Sequence, residues 1–202
     1  MPVIDFRPYA VGKSIPDQMK GGTPDVLKFY YSLKEKKSGA VHEFEAWPND
    51  WEKDYDYVSS RQVVLKKGIE PKIKDFSIHN LDGDDLTDEV LNEQNYSFLL
   101  VCYDLSITNK NVFGKVNDLN LLCKQNNVKL YALTSTGKDE IIKFQTETHS
   151  EQINFFNTDG TVLKTMIRSN PGLILIKGGV VKANWPARSI PSFTDVKEEY
   201  FK

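Results

Sequence analysis

The sequence predicts an α/β fold, a central mixed sheet flanked by helices, with an N-terminal antiparallel β extension. Three observations predict it. Two near-continuous apolar runs, Tyr96 to Leu105 and Val128 to Leu133, have the pattern of strands buried on both faces of a parallel sheet. Between them Val112, Val116, Leu119, Leu122 and Cys123 recur at helical spacing on one face. Further on, Leu173–Lys177 and Val180–Asn184 flank Gly178-Gly179, a two-residue hairpin connection.

Taken in order, residues 1–25 hold Pro2, Pro8, Pro16 and Pro24 with Gly12, Gly21 and Gly22. Proline withholds a backbone donor and fixes φ, so an extended, irregular lead-in is expected. Phe29–Leu33 and Val41–Ala46 flank Lys36-Lys-Ser-Gly39 and form a hairpin with a glycine turn. Tyr57 to Leu65 supplies a third strand, and Lys34-Glu-Lys-Lys37 is a solvated hairpin tip that discourages edge pairing. Asp75–His79 is predicted as a short strand and Asp82-Gly83 as a tight turn. Leu86–Leu91 is predicted as a short helix capped by Thr87, with two acids in its first turn. Gly137–Ser150 is the second long helix, carrying Ile141, Ile142 and Phe144, and Ile153–Phe156 a further short strand. The order β-α-β-α-β followed by a ββ hairpin fits one α/β domain. The boundaries are 1–67 for the lead-in and β-rich extension, 68–192 for the domain, and 193–202 for a tail or short helix.

Composition excludes several classes. Apolar residues at 40% with 11 Phe, 9 Tyr and 3 Trp are globular, not disordered or low-complexity. Twenty-six basic against 28 acidic residues give a net charge of −2, without the basic bias of a nucleic-acid binder. Cys102 and Cys123 are too few for a disulfide framework or a four-cysteine zinc site. The longest apolar run, Phe98–Tyr103, is far short of the roughly 20 residues that span a bilayer. No basic-then-apolar signal peptide is visible at the start.

The element order resembles the thioredoxin-like fold. Gly68-Ile-Glu-Pro-Lys-Ile-Lys-Asp-Phe-Ser-Ile78 with Asp82-Gly83 is similar to the entry strand and turn of peroxiredoxins and TlpA-type thioredoxins. Ser169-Asn170-Pro171, followed by Gly172 to Val181, is similar to the family's cis-proline and last hairpin, which implies a cis bond before Pro171. A second resemblance covers almost the whole chain: Ile4-Asp-Phe-Arg-Pro-Tyr9 with Gly12, then Thr165–Leu173, then Lys182 and Trp185. Together these resemble the soluble C-terminal region of DoxX-like (MauE/DoxX redox-associated) membrane proteins. That implies a parent with a multi-span membrane part, which would be this chain's first partner. It also implies a membrane-anchored parent with this domain on the periplasmic side. The few cations of residues 1–20, Arg7, Lys13 and Lys20, balanced by Asp5 and Asp17, lean the same way.

The family's dithiol chemistry needs Cys-x-x-Cys where the first core strand enters its helix, with the thiolate stabilised by the helix N-terminus. Here that junction runs Asp104-Leu-Ser-Ile-Thr-Asn-Lys-Asn-Val112, without a cysteine. Its Ser and Asn residues serve instead as caps. The expected function is therefore a redox-inactive binding module without a catalytic residue or cofactor. Its candidate peptide- or partner-binding residues are Ser106, Ile107, Thr108, Asn109, Asn170 and Pro171, facing an extended peptide or protein partner. The alternative is a thiol oxidoreductase or peroxidase using Cys102 or Cys123; both lie in apolar patterns and lack a cue for a lowered pKa.

Other constellations are weaker. Asp82–Glu89 lacks EF-hand spacing and a closing glutamate. His42, His79 and His149 stand apart, so no metal site is expected. The aromatic set Phe29-Tyr30-Tyr31, Trp47, Trp51, Tyr55 and Tyr57 is expected to bury the face of the small β layer.

Overall fold

Burial on both faces of the strand Tyr96–Val101 organises the larger part of the molecule. The computed structural model describes residues 7–201. Its elements are α1 (Ile15–Lys20), β1 (Val26–Glu35), β2 (Val41–Phe44), α2 (Trp51–Asp54), β3 (Tyr55–Lys66), α3 (Thr87–Asn92) and β4 (Tyr96–Val101). There follow α4 (Phe113–Gln125), β5 (Lys129–Thr134), α5 (Lys138–Thr148), β6 (Phe155–Asn157), α6 (Gly160–Met166), β7 (Gly172–Lys177), β8 (Val180–Pro186) and α7 (Phe193–Tyr200). The described residues divide into two units, 7–20 with 72–201, and Gly21–Pro71.

In the larger unit the strand order is β6-β5-β4-β7-β8. β4 runs parallel to β5 and antiparallel to β7, and β7 and β8 form the hairpin across Gly178-Gly179. This is the central mixed sheet flanked by helices that the sequence predicts. Side chains alternate across a strand, so Phe98, Leu100 and Cys102 enter one core while Leu99 and Val101 enter the other. The first core is covered by α4, α5 and α7 through Val116, Leu119, Phe144, Phe193 and Val196. The second takes Ile15 of α1, Val90 of α3, and Leu163 and Met166 of α6. Two buried faces are the reason β4 shows no polar alternation.

The smaller unit is a three-stranded antiparallel sheet, order β2-β1-β3. It contains the three strands expected from its hydrophobic runs. Its chain ends meet where the Thr23 N–H donates to the Ile69 carbonyl at 2.7 Å.

Several local expectations are corrected. Residues 1–25 are not uniformly irregular: Ile15–Lys20 is helical, and Pro16 sits in the first turn, where a missing N–H costs nothing. The preceding arm pairs with β8, with Gly12 N–H on Val181 O (2.8 Å) and Val181 N–H on Lys13 O (2.9 Å). It therefore belongs to the larger unit rather than to a separate lead-in, and that unit resumes at residue 72 rather than 68. Ile4, Asp5 and Phe6 of the quoted N-terminal segment lie outside the described residues.

Asp75–His79 is not a strand. It makes isolated bridges at His79 only, while Phe76 and Ile78 are buried as irregular backbone. Thr87 is the first helical residue rather than the cap; its hydroxyl accepts the Ile78 N–H at 2.9 Å, and Asp85 accepts the Thr87 N–H. Helix α6 was not expected. Asp159 caps it by accepting from Thr161 and Val162 N–H groups. Residues 193–200 are a helix with a full capping box at Ser192 and Asp195, and Phe193 and Val196 extend the core.

Candidate functional site

Strand β4 ends at Val101, and the chain reaches α4 through two short 3-10 turns, Leu105–Ile107 and Lys110–Val112. Each turn is capped from its own sequence. Asp104 Oδ1 accepts from the Ser106 N–H (2.9 Å) and from the Ser106 hydroxyl (2.6 Å). Asn109 Oδ1 accepts from the Asn111 N–H at 3.1 Å. The expected caps thus serve the two turns; the residue preceding α4 is Val112, which has no capping side chain.

A second loop meets this junction, the one entering β7, where the Asn170–Pro171 bond is cis. The Asn170 side-chain amide donates to Asp104 O at 2.7 Å, and the Asn109 N–H donates to Asn170 O at 3.0 Å. The Thr108 hydroxyl lies 2.7 Å from Asp104 O and 3.0 Å from Asn170 Oδ1. Its single proton is directed at those acceptors. Ser169 Oγ donates to Pro171 O (2.7 Å) and accepts the Ala187 N–H (2.8 Å), tying the loop to the end of β8.

So the structure joins Thr108, Asn109 and Asn170 directly, and Ser106 through Asp104. They differ in what they offer to solvent. Ser106, Ile107 and Asn109 are exposed, Ile107 by 65%, while Thr108 and Pro171 are buried. Pro171 therefore shapes the loop without presenting a surface. Beside this junction lies a cleft of about 510 Å³ bounded by Asp104, Ser106, Thr136, Lys110, Glu140 and Phe144, among others. The Ser106 hydroxyl holds the Asp104 carboxyl below the usual carboxylate range, helped by backbone N–H groups and the Lys164 ammonium. Lys110 is paired with Glu147 at 2.7 Å.

Sequence reasoning missed three positioning residues. Asp104 carries a local signal, an Asp two residues before a Ser, typical of an Asx turn. Thr136, whose hydroxyl accepts the Leu105 N–H at 3.2 Å, and Ser169 act across long sequence separations and leave no local trace.

Both cysteines are elsewhere. They are free thiols, wholly buried in the first core. Burial pushes the Cys102 thiol far above its ordinary range and Cys123 up to about 12. Among the described residues no group of three or more His, Cys, Asp or Glu side chains could hold a metal ion. No helix among them is long and apolar enough to cross a membrane.

Asn170→Ala is expected to cost about 0.5–1.5 kcal/mol, the net worth of a lost hydrogen bond, because it removes the amide donor from Asp104 O and leaves that carbonyl only the Thr108 hydroxyl. Urea denaturation checks this. A loss below about 0.5 kcal/mol, the range of neutral surface changes, would show that the loop is not held by this amide.

No protein-family model matches the chain, and no curated protein matches it by sequence. Solved structures do. A thiol-disulfide oxidoreductase from Bacteroides fragilis is 17% identical, with 61% of this chain and 95% of that one covered at a TM-score of 0.48. A thiol:disulfide interchange protein from Bacteroides sp. is 12% identical over 63% and 86%, TM-score 0.48. A thioredoxin-like protein from Aeropyrum pernix is 14% identical over 61% and 86%, TM-score 0.46.

Proposed function

We propose that this chain is a redox-inactive thioredoxin-like binding module, taking an extended peptide or protein partner on the face built by Ser106–Asn109 and Asn170–Pro171. One observation carries the reading: the junction that would need a dithiol is Asp104–Asn109, in which hydroxyl, amide and carboxylate groups cap backbone turns. None of these carries a sulfur atom, so none can supply a thiolate. Contact would fall to the exposed Ile107, which offers apolar area, with Ser106 and Asn109 as polar flanks. The Asn170 carbonyl already accepts from Asn109, so partner binding there relies on side chains more than on strand pairing.

The parent of the module is, on this reading, a DoxX-like membrane protein, its membrane part the first partner and the module periplasmic. The quoted segments from Thr165 to Trp185 support that assignment. A reporter fused to the parent's C-terminus tests the sidedness; strong activity of a cytoplasm-dependent reporter would overturn it.

Two measurements test the module itself. Reduction of insulin should stay at the dithiothreitol background, since release of a mixed disulfide needs a second accessible thiol. Amide shifts on titration with the parent's periplasmic segments should cluster at residues 105–110 and 169–171. Shifts confined to another face would sink the binding assignment, and catalysed turnover lost in Cys102→Ser or Cys123→Ser would sink redox inactivity.

A further inference from the structure

The outer edge of β6 is closed at one residue and open at the next. The Ala132 N–H donates to Asn154 O (3.1 Å) and the Thr158 N–H to Thr134 O (3.0 Å), so the backbone groups of Asn154, Phe156 and Thr158 are those turned toward β5. Alternation along the strand turns the N–H and C=O of Phe155 and Asn157 the other way, off the sheet. Asn157 finds its partner there, exchanging two bonds of 2.7 and 2.9 Å with His79.

An antiparallel strand continued from His79 would bring Leu81 opposite Phe155, but the chain turns back first. Asn80 Oδ1 accepts the N–H groups of Asp82 and Asp84, and His79 bridges to Asp85. On the other side of Phe155, Gln145 closes the edge by donating to Ile153 O at 2.8 Å. Among the described residues nothing pairs with the N–H or C=O of Phe155, although that residue is only 4% exposed. Unpaired backbone groups at a buried residue are rare in native proteins. Beside them runs a groove of about 390 Å³ with Leu81, Leu86, Ile141, Ile153 and Phe156 in its walls. Ile141 and Ile153 belong to the core that receives Phe155, and Leu86 and Phe156 pack against the core across the sheet.

We propose that this edge is a second binding site, taking a short extended segment of another protein as one more strand on β6. Its middle residue exchanges both backbone bonds with Phe155, as His79 does with Asn157. Main-chain pairing holds such a segment, and the walls on either side select its side chains. Cross-strand partners share a face, so the middle side chain lies beside Ile141 and Ile153 and its neighbours lie toward Leu86 and Phe156. The segment is therefore an apolar run. Glu151, exposed on the groove wall, favours a cation beside that run over an acid. A slot one residue wide offers two bonds, so binding is weak. None of Ser106–Asn109 or Asn170–Pro171 lines this groove, so the two sites stand or fall separately.

Titrating acetyl-Lys-Val-Leu-Val-Lys-amide to millimolar concentration into the isotope-labelled full chain tests this by NMR. Amide shifts should cluster at residues 79–81 and 153–157. Solvent exchange of the Phe155 amide should be faster than that of Phe156 in the free protein and should slow with peptide. N-methylating the leucine removes the donor to Phe155 O and should weaken binding about tenfold or more. Leu81→Arg, which narrows the groove from a half-buried loop position, should weaken binding with unchanged far-UV circular dichroism. If that variant fails to fold, the N-methylated peptide on the wild type decides. Equal binding of the two peptides, or a Phe155 amide as protected as Phe156 in the free protein, would overturn the proposal. So would shifts at residues 153–157 on concentrating the protein without peptide, which would assign the edge to a second copy. Peptide shifts confined to residues 105–110 and 169–171, or none at all, would also overturn it; the former would leave the first binding face standing.

Discussion

Iodoacetamide is expected to label native Cys123 at least about a thousandfold more slowly than an exposed cysteine, and Cys102 more slowly still. The nucleophile is the thiolate. Burial pushes the Cys123 thiol well above its ordinary range, up to about 12, so the thiolate fraction at mildly alkaline pH falls by about three powers of ten. Cys102, at the end of the central strand run, is wholly buried and shifted in the same direction. Denaturing the protein should bring both to the full rate. Fast labelling of either thiol in the folded protein would return the oxidoreductase reading to the front.

The same burial has a consequence for stability. A thiol whose folded pKa lies above its unfolded value favours folding below the unfolded value and loses that contribution as pH rises through the folded one. From about pH 9 to 12, Cys123 should therefore withdraw about 1.4 kcal/mol per pH unit, as the unfolded chain ionises and the folded one does not. Cys102 acts in the same sense. Urea midpoints followed upward from pH 8 should fall progressively, and less steeply in the Cys102→Ala and Cys123→Ala variants.

Phe98→Ala is expected to cost about 3–5 kcal/mol of unfolding free energy. Phe98 is wholly buried in the first core, on the strand that pairs with both β5 and β7. Truncation removes apolar contact and leaves a cavity that a sheet held on both sides cannot close. A loss of this size is comparable to the whole stability of a marginal domain. Ile142→Ala on α5 is the contrast: Ile142 is 53% exposed, and its loss should stay within about 0.5 kcal/mol. Chemical denaturation measures both. Similar losses at the two sites would mean that the first core is not packed as described.

These two residues also mark how far the sequence reached. The runs around Phe98 and Leu130 are apolar without alternation, and that pattern alone specified strands covered on both faces. The recurrence of Val116, Leu119 and Cys123 specified the covering helix. Periodicity did not separate Ile141, buried, from Ile142, exposed, because adjacent apolar residues on a helix mark a face only once its neighbours are known. The missed helix α6 had a readable signal in its Asp159 cap, whereas the strand predicted over Asp75–His79 does not form. In the structure its burial comes from Phe76 and Ile78 packing as irregular backbone.

For the site, the sequence by itself showed a junction of Asp104, Ser106, Thr108 and Asn109 without a thiol. It also marked the two cysteines as apolar neighbours of strand and helix. Only the tertiary structure decided how the junction is held. Asn170 reaches Asp104 and Asn109 across more than sixty residues, and Thr136 and Ser169 receive backbone donors from residues 31 and 18 positions away. Such bonds depend on where the sheet brings its loops together. Sheet order is set by the pairing of whole strands, so it leaves no mark in the spacing of the residues it joins.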